Sequence, residues 1–114
     1  MSLPTFIVIG PGKTGTTWLY KCLLEHPEIG LAKGTKETLF FNHNYEKGLA
    51  WYERFFDGMT NVRATGEISN DYFFSEEAPA RIAAAIPGVK LITMLRNPID
   101  RIVSMYKFNI RNGN

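Results

Sequence analysis

The chain has 114 residues, which is enough for one domain with one hydrophobic core. Its hydrophobic fraction of 45% and its charged fraction of 21% are those of an ordinary globular protein, and they argue against disorder. The 13 basic and 11 acidic residues leave a formal net charge of +2, so charge alone does not indicate a surface for nucleic acid or membrane.

Cysteine usage, hydropathy and the N-terminal residues argue against three further features. The single cysteine, Cys22, excludes an internal disulfide. No stretch approaches the ~18 apolar residues that a membrane-spanning helix needs, and the N-terminus lacks the basic start of a signal peptide. A cytoplasmic protein is therefore the default expectation, and a piece cut from a longer, membrane-anchored protein would have the same features.

The first half of the chain is predicted to contain a strand, a turn and a helix. Residues 6–9 are a short unbroken apolar run, typical of a strand buried on both faces of a parallel sheet. A glycine-rich turn follows, and residues 16–26 are expected to form a helix that Pro27 ends. Residues 28–47 are mixed and are expected to be loop-like.

The next part is predicted to alternate between helices and strands. Residues 48–56 have the aromatic face of a helix, and residues 63–68 are expected to form a short strand. Another helix is expected to have Ser75 as its N-cap and to end at residues 87–88. Residues 89–95 are the second clear strand.

The last predicted helix has the best-defined start, with Asn97 as N-cap, Pro98 at its first position and Asp100 at its third.

Strands separated by helices indicate a parallel α/β sheet with helices on both faces. Such sheets bind ligands at the carboxyl ends of their strands. The turns that follow residues 6–9 and 89–95 are therefore expected to share one edge of the sheet.

The turn from Gly10 to Thr17 has the chemistry of an anion site, because backbone N–H groups at a helix start lack internal partners and the helix dipole adds positive charge. Gly10 and Gly15 have the spacing of the nucleotide-triphosphate motif G-x-x-x-x-G-K-[ST]. Thr16, however, stands at the motif's lysine position, while Lys13 lies inside the loop. Two alternatives stay open here, a phosphate cradle with displaced charge and a turn that merely connects strand to helix.

Residues 13–19 resemble the 5′-phosphosulfate-binding loop of sulfotransferases that use 3′-phosphoadenosine-5′-phosphosulfate. The resemblance implies that Lys13 contacts the oxygen bridging sulfur and phosphorus, where it neutralises charge on the departing phosphate. The nucleotide-binding loop that it implies consists of Lys13, Thr14, Gly15, Thr16 and Thr17.

Residues 95–106 are similar to the 3′-phosphate-binding segment of the same family, in which an Arg leaves the strand and a Ser follows eight residues later. Arg96 and Ser104 match those positions, and a guanidinium offers a rigid fork of donors to phosphate. Taken alone, Arg96 suits an ion pair with Asp100, and Ser104 suits a solvated helix face. The pair at this spacing supports a nucleotide with phosphates at both ends.

Residues 36–52 resemble the heparan sulfate N- and 3-O-sulfotransferases, in which a Glu shortly before a Phe-Phe pair is taken as the base. The resemblance assigns that role, removal of the acceptor's proton, to Glu37. His43 is the rival base, since a His works near pH 7 without an unusual environment. Residues 66–73 resemble a substrate-lining segment of that group, which typically has a Lys where Ile68 stands, and this difference disfavours a heparan-like acceptor.

The resemblance implies a P-loop-like α/β sulfotransferase fold, with residues 1–114 as the N-terminal part of the domain. It implies sulfuryl transfer from 3′-phosphoadenosine-5′-phosphosulfate, the co-substrate, to a hydroxyl or amine, without a metal and without nucleic acid. The acceptor is left open between a small molecule, a glycan and a lipid, as is the oligomeric state.

Two other functions remain as alternatives. One is a divergent P-loop nucleotide triphosphatase or kinase with Mg²⁺ on Thr17, and the other is an inactive nucleotide-binding module. Family segments that complete the nucleotide and acceptor pockets are missing after Ser104. The chain is therefore expected to be part of a longer protein and to be weakly active as it stands.

Overall fold

A computed structural model describes residues 3–11 and 15–94 of the chain. In these ranges, the strands are β1 (Phe6–Gly10), β2 (Ile29–Leu31), β3 (Ala64–Ile68) and β4 (Lys90–Thr93). The α-helices are α1 (Thr16–Glu25), α2 (Leu49–Glu53) and α3 (Ala78–Ala85). Short 3₁₀ turns cover Tyr45–Lys47, Arg54–Phe56 and Asn70–Phe74. None of the helices in the described ranges has the length and apolar character to cross a membrane.

The strands form one parallel sheet in the order β2-β3-β1-β4, which confirms the predicted fold class. Phe6 aligns with Gly66 on one side and with Lys90 on the other. Strands β1 and β4 are neighbours, and the Met94 N–H donates to the Gly10 carbonyl at 3.2 Å just beyond the ladder. Both strands therefore end at the same edge of the sheet, as expected.

Helices lie on both faces of the sheet. Alternate residues of β1 therefore enter two separate apolar clusters, since successive side chains of a strand point to opposite faces. Ile7 packs in the larger cluster, which includes aromatic side chains of α2 and apolar side chains of α3. Phe6 and Val8 pack with Ile68 in the smaller cluster, where α1 covers them through side chains such as Leu19. Burying a side chain such as Ile7 contributes about 1.5–3 kcal/mol.

The prediction that residues 28–47 are loop-like is wrong for β2, which pairs in parallel with β3. Three residues are too few to show a strand period, and Gly30 interrupts the apolar pattern. The structure gives Gly30 a packing role, because a Cβ there would lie 2.6 Å from the Met59 sulfur.

Two helix boundaries differ from the prediction. Helix α2 stops at Glu53 and continues as a 3₁₀ turn rather than as one helix to residue 56. Helix α3 begins at Ala78 with Glu77 at the N-cap, so the assignment of Ser75 as N-cap is wrong by two residues. Ser75 still accepts the Ala78 N–H through its hydroxyl at 3.1 Å. The predicted helix from Asn97 lies outside the described residues.

Candidate functional site

The predicted phosphate turn has a strand on one side and a helix on the other. Strand β1 ends at Gly10 and α1 begins at Thr16, with Gly15 as its N-cap. Gly10 and Gly15 have φ values of 98° and 96°, a left-handed region that glycine adopts without steric cost. Lys13 and Thr14, with Gly12, lie outside the described residues.

The start of α1 carries the features of an anion site. Gly15 has no side chain to cap the helix, so its first N–H groups are left for another partner. Thr16 is buried, whereas Thr17 is exposed, and the Thr17 hydroxyl accepts a hydrogen bond from the Lys36 ammonium at 3.4 Å. The Lys36 ammonium therefore lies at the start of α1, although Lys36 is 19 residues away from Thr17 in the chain.

The end of β4 contacts this region as well. Gly10 pairs with Thr93, and a Cβ on Gly15 would lie 3.4 Å from the terminal methyl of Met94. We call Gly10, Gly15 to Thr17 and the end of β4 the turn edge. Arg96 and Ser104, the expected 3′-phosphate ligands, lie outside the described residues.

Glu37 reaches the turn edge through one residue, Asn70. The half-buried Glu37 accepts the Asn70 backbone N–H through its Oε1 atom at 2.7 Å. Asn70 in turn packs on Gly10, where a Cβ would lie 2.6 Å from the Asn70 carbonyl oxygen. We call residues 36–41 the acceptor segment, and its first two residues both connect to the turn edge.

His43 lies in a different environment. Its side chain is exposed, and its Nε2 atom is 3.8 Å from the exposed Asp71 carboxylate. It lines an open groove together with Ser75 and Arg81. Arg81 donates to the Phe41 carbonyl at 3.2 Å, so this groove borders the far end of the acceptor segment.

Sequence reasoning missed the role of Glu67, which it included only in a segment resembling substrate-lining residues. Glu67 is 1% exposed on β3 and accepts hydrogen bonds from Thr38, Ser69, Tyr52 and Tyr72. Burial raises the pKa of the Glu67 carboxyl, and hydrogen bonds from Ser69, Tyr52 and Thr38 oppose the shift. The available signal was a charged residue inside a strand whose neighbours are small or apolar.

Burial also raises the pKa of Tyr52, and the nearby Glu67 charge adds to the increase. The pKa of Tyr72 is raised for the same two reasons. Both phenols therefore keep their protons and act as donors to the carboxylate.

Ile68, which stands where the similar segment typically has a Lys, lies in the apolar core. Its side chain is fully buried with Phe6 and Val8 beneath α1. The apolar residue at this position is therefore explained by packing.

The site combines two kinds of chemistry. The turn edge offers N–H groups and a threonine hydroxyl to an anion, and the acceptor segment adds the Lys36 ammonium and, for a proton donor, the Glu37 carboxylate. Among residues 3–11 and 15–94, no group of three or more His, Cys, Asp or Glu side chains is placed to hold a metal ion.

Residues 3–114 match the family described as "Sulfotransferase domain". The bifunctional heparan sulfate N-deacetylase/N-sulfotransferase 4 of Mus musculus is 48% identical to this chain over 112 residues. The bifunctional heparan sulfate N-deacetylase/N-sulfotransferase 1 of Homo sapiens is 45% identical over 111 residues. These alignments cover 92% and 91% of this chain but 13% of each relative.

A solved structure is also similar, that of a sulfotransferase from Alicyclobacillus acidocaldarius. The TM-score is 0.85 at 32% sequence identity, and the match covers 99% of this chain and 52% of that chain. This chain therefore spans about half the length of the solved protein and a smaller share of the curated relatives.

Proposed function

The chain belongs to the sulfotransferase domain family, and we propose that it supplies the donor-binding edge and the base of a sulfotransferase. The observation that carries the proposal is the junction between the acceptor segment and the turn edge. Lys36 binds Thr17, and Glu37 binds Asn70, which packs on Gly10. A proton acceptor beside an anion site is the arrangement that group transfer to an amine or hydroxyl needs.

The proposed donor is 3′-phosphoadenosine-5′-phosphosulfate. Its 5′ end would bind Lys13, Thr14, Gly15, Thr16 and Thr17. Its 3′-phosphate would bind Arg96 and Ser104. The uncapped start of α1 and the neighbouring ends of β1 and β4 support this assignment, because the two sequence motifs follow strands that end at one edge of the sheet.

The proposed reaction is an in-line attack at sulfur. The acceptor's nitrogen or oxygen forms a bond to sulfur while the bond from sulfur to the bridging oxygen breaks. Lys13 neutralises the negative charge that grows on the departing 5′-phosphate, and Glu37 takes the acceptor's proton. The products are the sulfated acceptor and 3′-phosphoadenosine-5′-phosphate. Because Asn70 holds the Oε1 atom of Glu37, its Oε2 atom is the one available for the proton.

We further propose that the acceptor is an amine on a glucosamine-containing glycan. Two relatives that share 48% and 45% identity with this chain are named as heparan sulfate N-sulfotransferases. Glu37 is favoured over His43 as the base because Glu37 contacts a residue that packs on the turn edge.

Calorimetric titration with 3′-phosphoadenosine-5′-phosphate tests the donor site. Lys13→Ala and Arg96→Ala are each expected to weaken binding about 10- to 100-fold, since a hydrogen bond to a charged group contributes about 1.5–3 kcal/mol. Lys33→Ala is the control, because Lys33 donates to the Asp57 carbonyl elsewhere in the fold. Unchanged binding in both test variants, or a thermal shift with ATP–Mg²⁺ in place of the bisphosphate, would contradict the proposal.

A further inference from the structure

The carboxylate of Glu67 is the centre of a buried polar network. Its Oε1 atom accepts the Thr38 N–H at 3.2 Å, the Thr38 hydroxyl at 2.7 Å and the Ser69 hydroxyl at 2.5 Å. Its Oε2 atom accepts the Tyr52 and Tyr72 hydroxyls at 2.5 and 3.4 Å. Four hydroxyl donors therefore face one side chain that, when ionised, can only accept.

Three of the four hydroxyls that give their protons to Glu67 also accept a backbone N–H of the acceptor segment. The Ser69 hydroxyl accepts the Leu39 N–H at 3.4 Å, and the Thr38 hydroxyl accepts the Phe40 N–H at 3.2 Å. The Tyr72 hydroxyl accepts the Phe41 N–H at 3.2 Å. Four successive backbone N–H groups, from residues 38 to 41, are thus satisfied by Glu67 directly or through one hydroxyl.

The network imposes a shape that the segment does not adopt by itself. Residues 38–41 belong to no helix or strand, and Leu39 has a φ of 54°, which a side chain with a Cβ adopts only against steric resistance. Glu37 directly precedes this segment, and its carboxylate is held by Asn70, which directly follows Ser69. Glu37 is therefore connected to the network around Glu67 in two ways, through the backbone of the adjoining segment and through Asn70.

We propose that Glu67 is a positioning residue for sulfuryl transfer, which sets the direction of three hydroxyl protons and thereby holds the acceptor segment with Glu37 at the turn edge. The inference rests on the proposed role of Glu37. Glu67 is 1% exposed, so it acts through the segment that it holds rather than through its own surface. A buried carboxylate with neighbouring apolar side chains is a poor device for stability alone, because its desolvation offsets much of the gain from hydrogen bonding.

The central variant is Glu67→Gln, which keeps the size of the side chain. An amide nitrogen donates, so at least one hydroxyl must turn its proton away from residue 67, which disturbs the network that holds the segment. We expect a fall of kcat of about 10-fold or more, with an N-desulfated heparin oligosaccharide as acceptor. The Kd for 3′-phosphoadenosine-5′-phosphate should change less than about threefold, because the turn edge is left intact.

A matched pair of tyrosines separates positioning from simple stabilisation. Tyr72→Phe removes a hydroxyl that joins Glu67 to the Phe41 N–H, whereas Tyr52→Phe removes a hydroxyl that reaches Glu67 alone. Tyr72→Phe should lower kcat at least threefold more than Tyr52→Phe does. Equal effects of the two on kcat, in proportion to their loss of thermal stability, would overturn the proposal. This pair also serves if Glu67→Gln does not fold.

A double-mutant cycle with Glu37→Gln links the network to the base. If Glu67 acts through Glu37, the double variant should be no slower than Glu37→Gln alone. Multiplicative losses would overturn the positioning role while leaving Glu37 as the base. Unchanged transfer in Glu37→Gln would overturn both, and normal transfer in Glu67→Gln with a slow Glu37→Gln would overturn this inference alone.

Discussion

The turn edge and the acceptor segment lie side by side, yet they are built in different ways. The turn edge consists mainly of backbone, with two left-handed glycines and an uncapped helix start within a few residues of each other. The acceptor segment has no regular structure and is held by side chains that come from β3, α2 and the Asn70–Phe74 turn. A short motif can therefore encode the first region, whereas the second needs the whole fold.

The strongest way to break both regions is at the point where they meet. In Gly10→Ala the new Cβ would lie 2.6 Å from the Asn70 carbonyl oxygen, and the residue would have to adopt a φ of 98°. We expect a loss of about 3 kcal/mol or more in the free energy of unfolding, from backbone strain and forced displacement together. Urea denaturation measures the loss.

Gly34→Ala is the matched control for this prediction. Gly34 also has a left-handed φ of 78°, but a Cβ there would meet no atom within 4 Å. It should lose about 1–2 kcal/mol, from strain alone. Equal losses in the two variants would show that the close approach of Asn70 to Gly10 does not matter to the fold.

The difference between the two regions also explains what the sequence could predict. Strand β1, helix α1 and the glycines between them are adjacent in the chain, so spacing alone indicates them. Glu67 binds Thr38 and Tyr52, which are 29 and 15 residues away, and a local sequence pattern does not predict such distant partners. The left-handed Leu39 was equally hidden, because its conformation is imposed by tertiary contacts.

Position Ile68 shows how a motif comparison can mislead. The comparison treated it as a position with a missing charge, but strand alternation sends its side chain into the cluster beneath α1. Glu67, its neighbour, enters the opposite face, where it meets Tyr52 and Tyr72. The period of the strand, had it been applied to residues 64–68, would have assigned these two side chains to opposite faces.

A smaller effect is expected in the pH dependence of stability. It comes from Glu67, whose network holds the acceptor segment and not the turn edge. The pKa of Glu67 is raised in the folded protein, so the folded state holds this proton more tightly than the unfolded state does. The contribution of the protonated carboxyl is complete below the ordinary pKa of a glutamate. It is lost as the pH rises through the raised pKa. Relative to Glu67→Gln, the protein should therefore lose unfolding free energy over that window.

Urea denaturation of both proteins between pH 4 and pH 8 provides the measurement. Glu46→Gln is the matched control, since it makes the same substitution at an exposed residue of the Tyr45–Lys47 turn. A stability difference between the protein and Glu67→Gln that rises with pH would mean that hydrogen bonding outweighs desolvation at this carboxyl.

The smallest expected effect concerns the lysine that joins the two regions. Lys36 belongs to the acceptor segment, but its ammonium lies 3.4 Å from the Thr17 hydroxyl and 5.8 Å from the centre of the Tyr20 ring. A nucleotide phosphate at the start of α1 would share this charge, and a half-exposed ion pair contributes about 1 kcal/mol or less. Lys36→Met should therefore weaken binding of 3′-phosphoadenosine-5′-phosphate about two- to fivefold.

Lys47→Met is the matched control for Lys36→Met, because the Lys47 ammonium also lies over an aromatic ring, that of Trp51, at 5.6 Å. Both variants remove one positive charge and one ring contact, but Lys47 has no bond to the turn edge. Raising the salt concentration should narrow the gap in affinity between the protein and Lys36→Met, since screening weakens the contribution of an exposed charge. If both variants weaken nucleotide binding equally, net charge accounts for the effect and the acceptor segment supplies no cation to the donor.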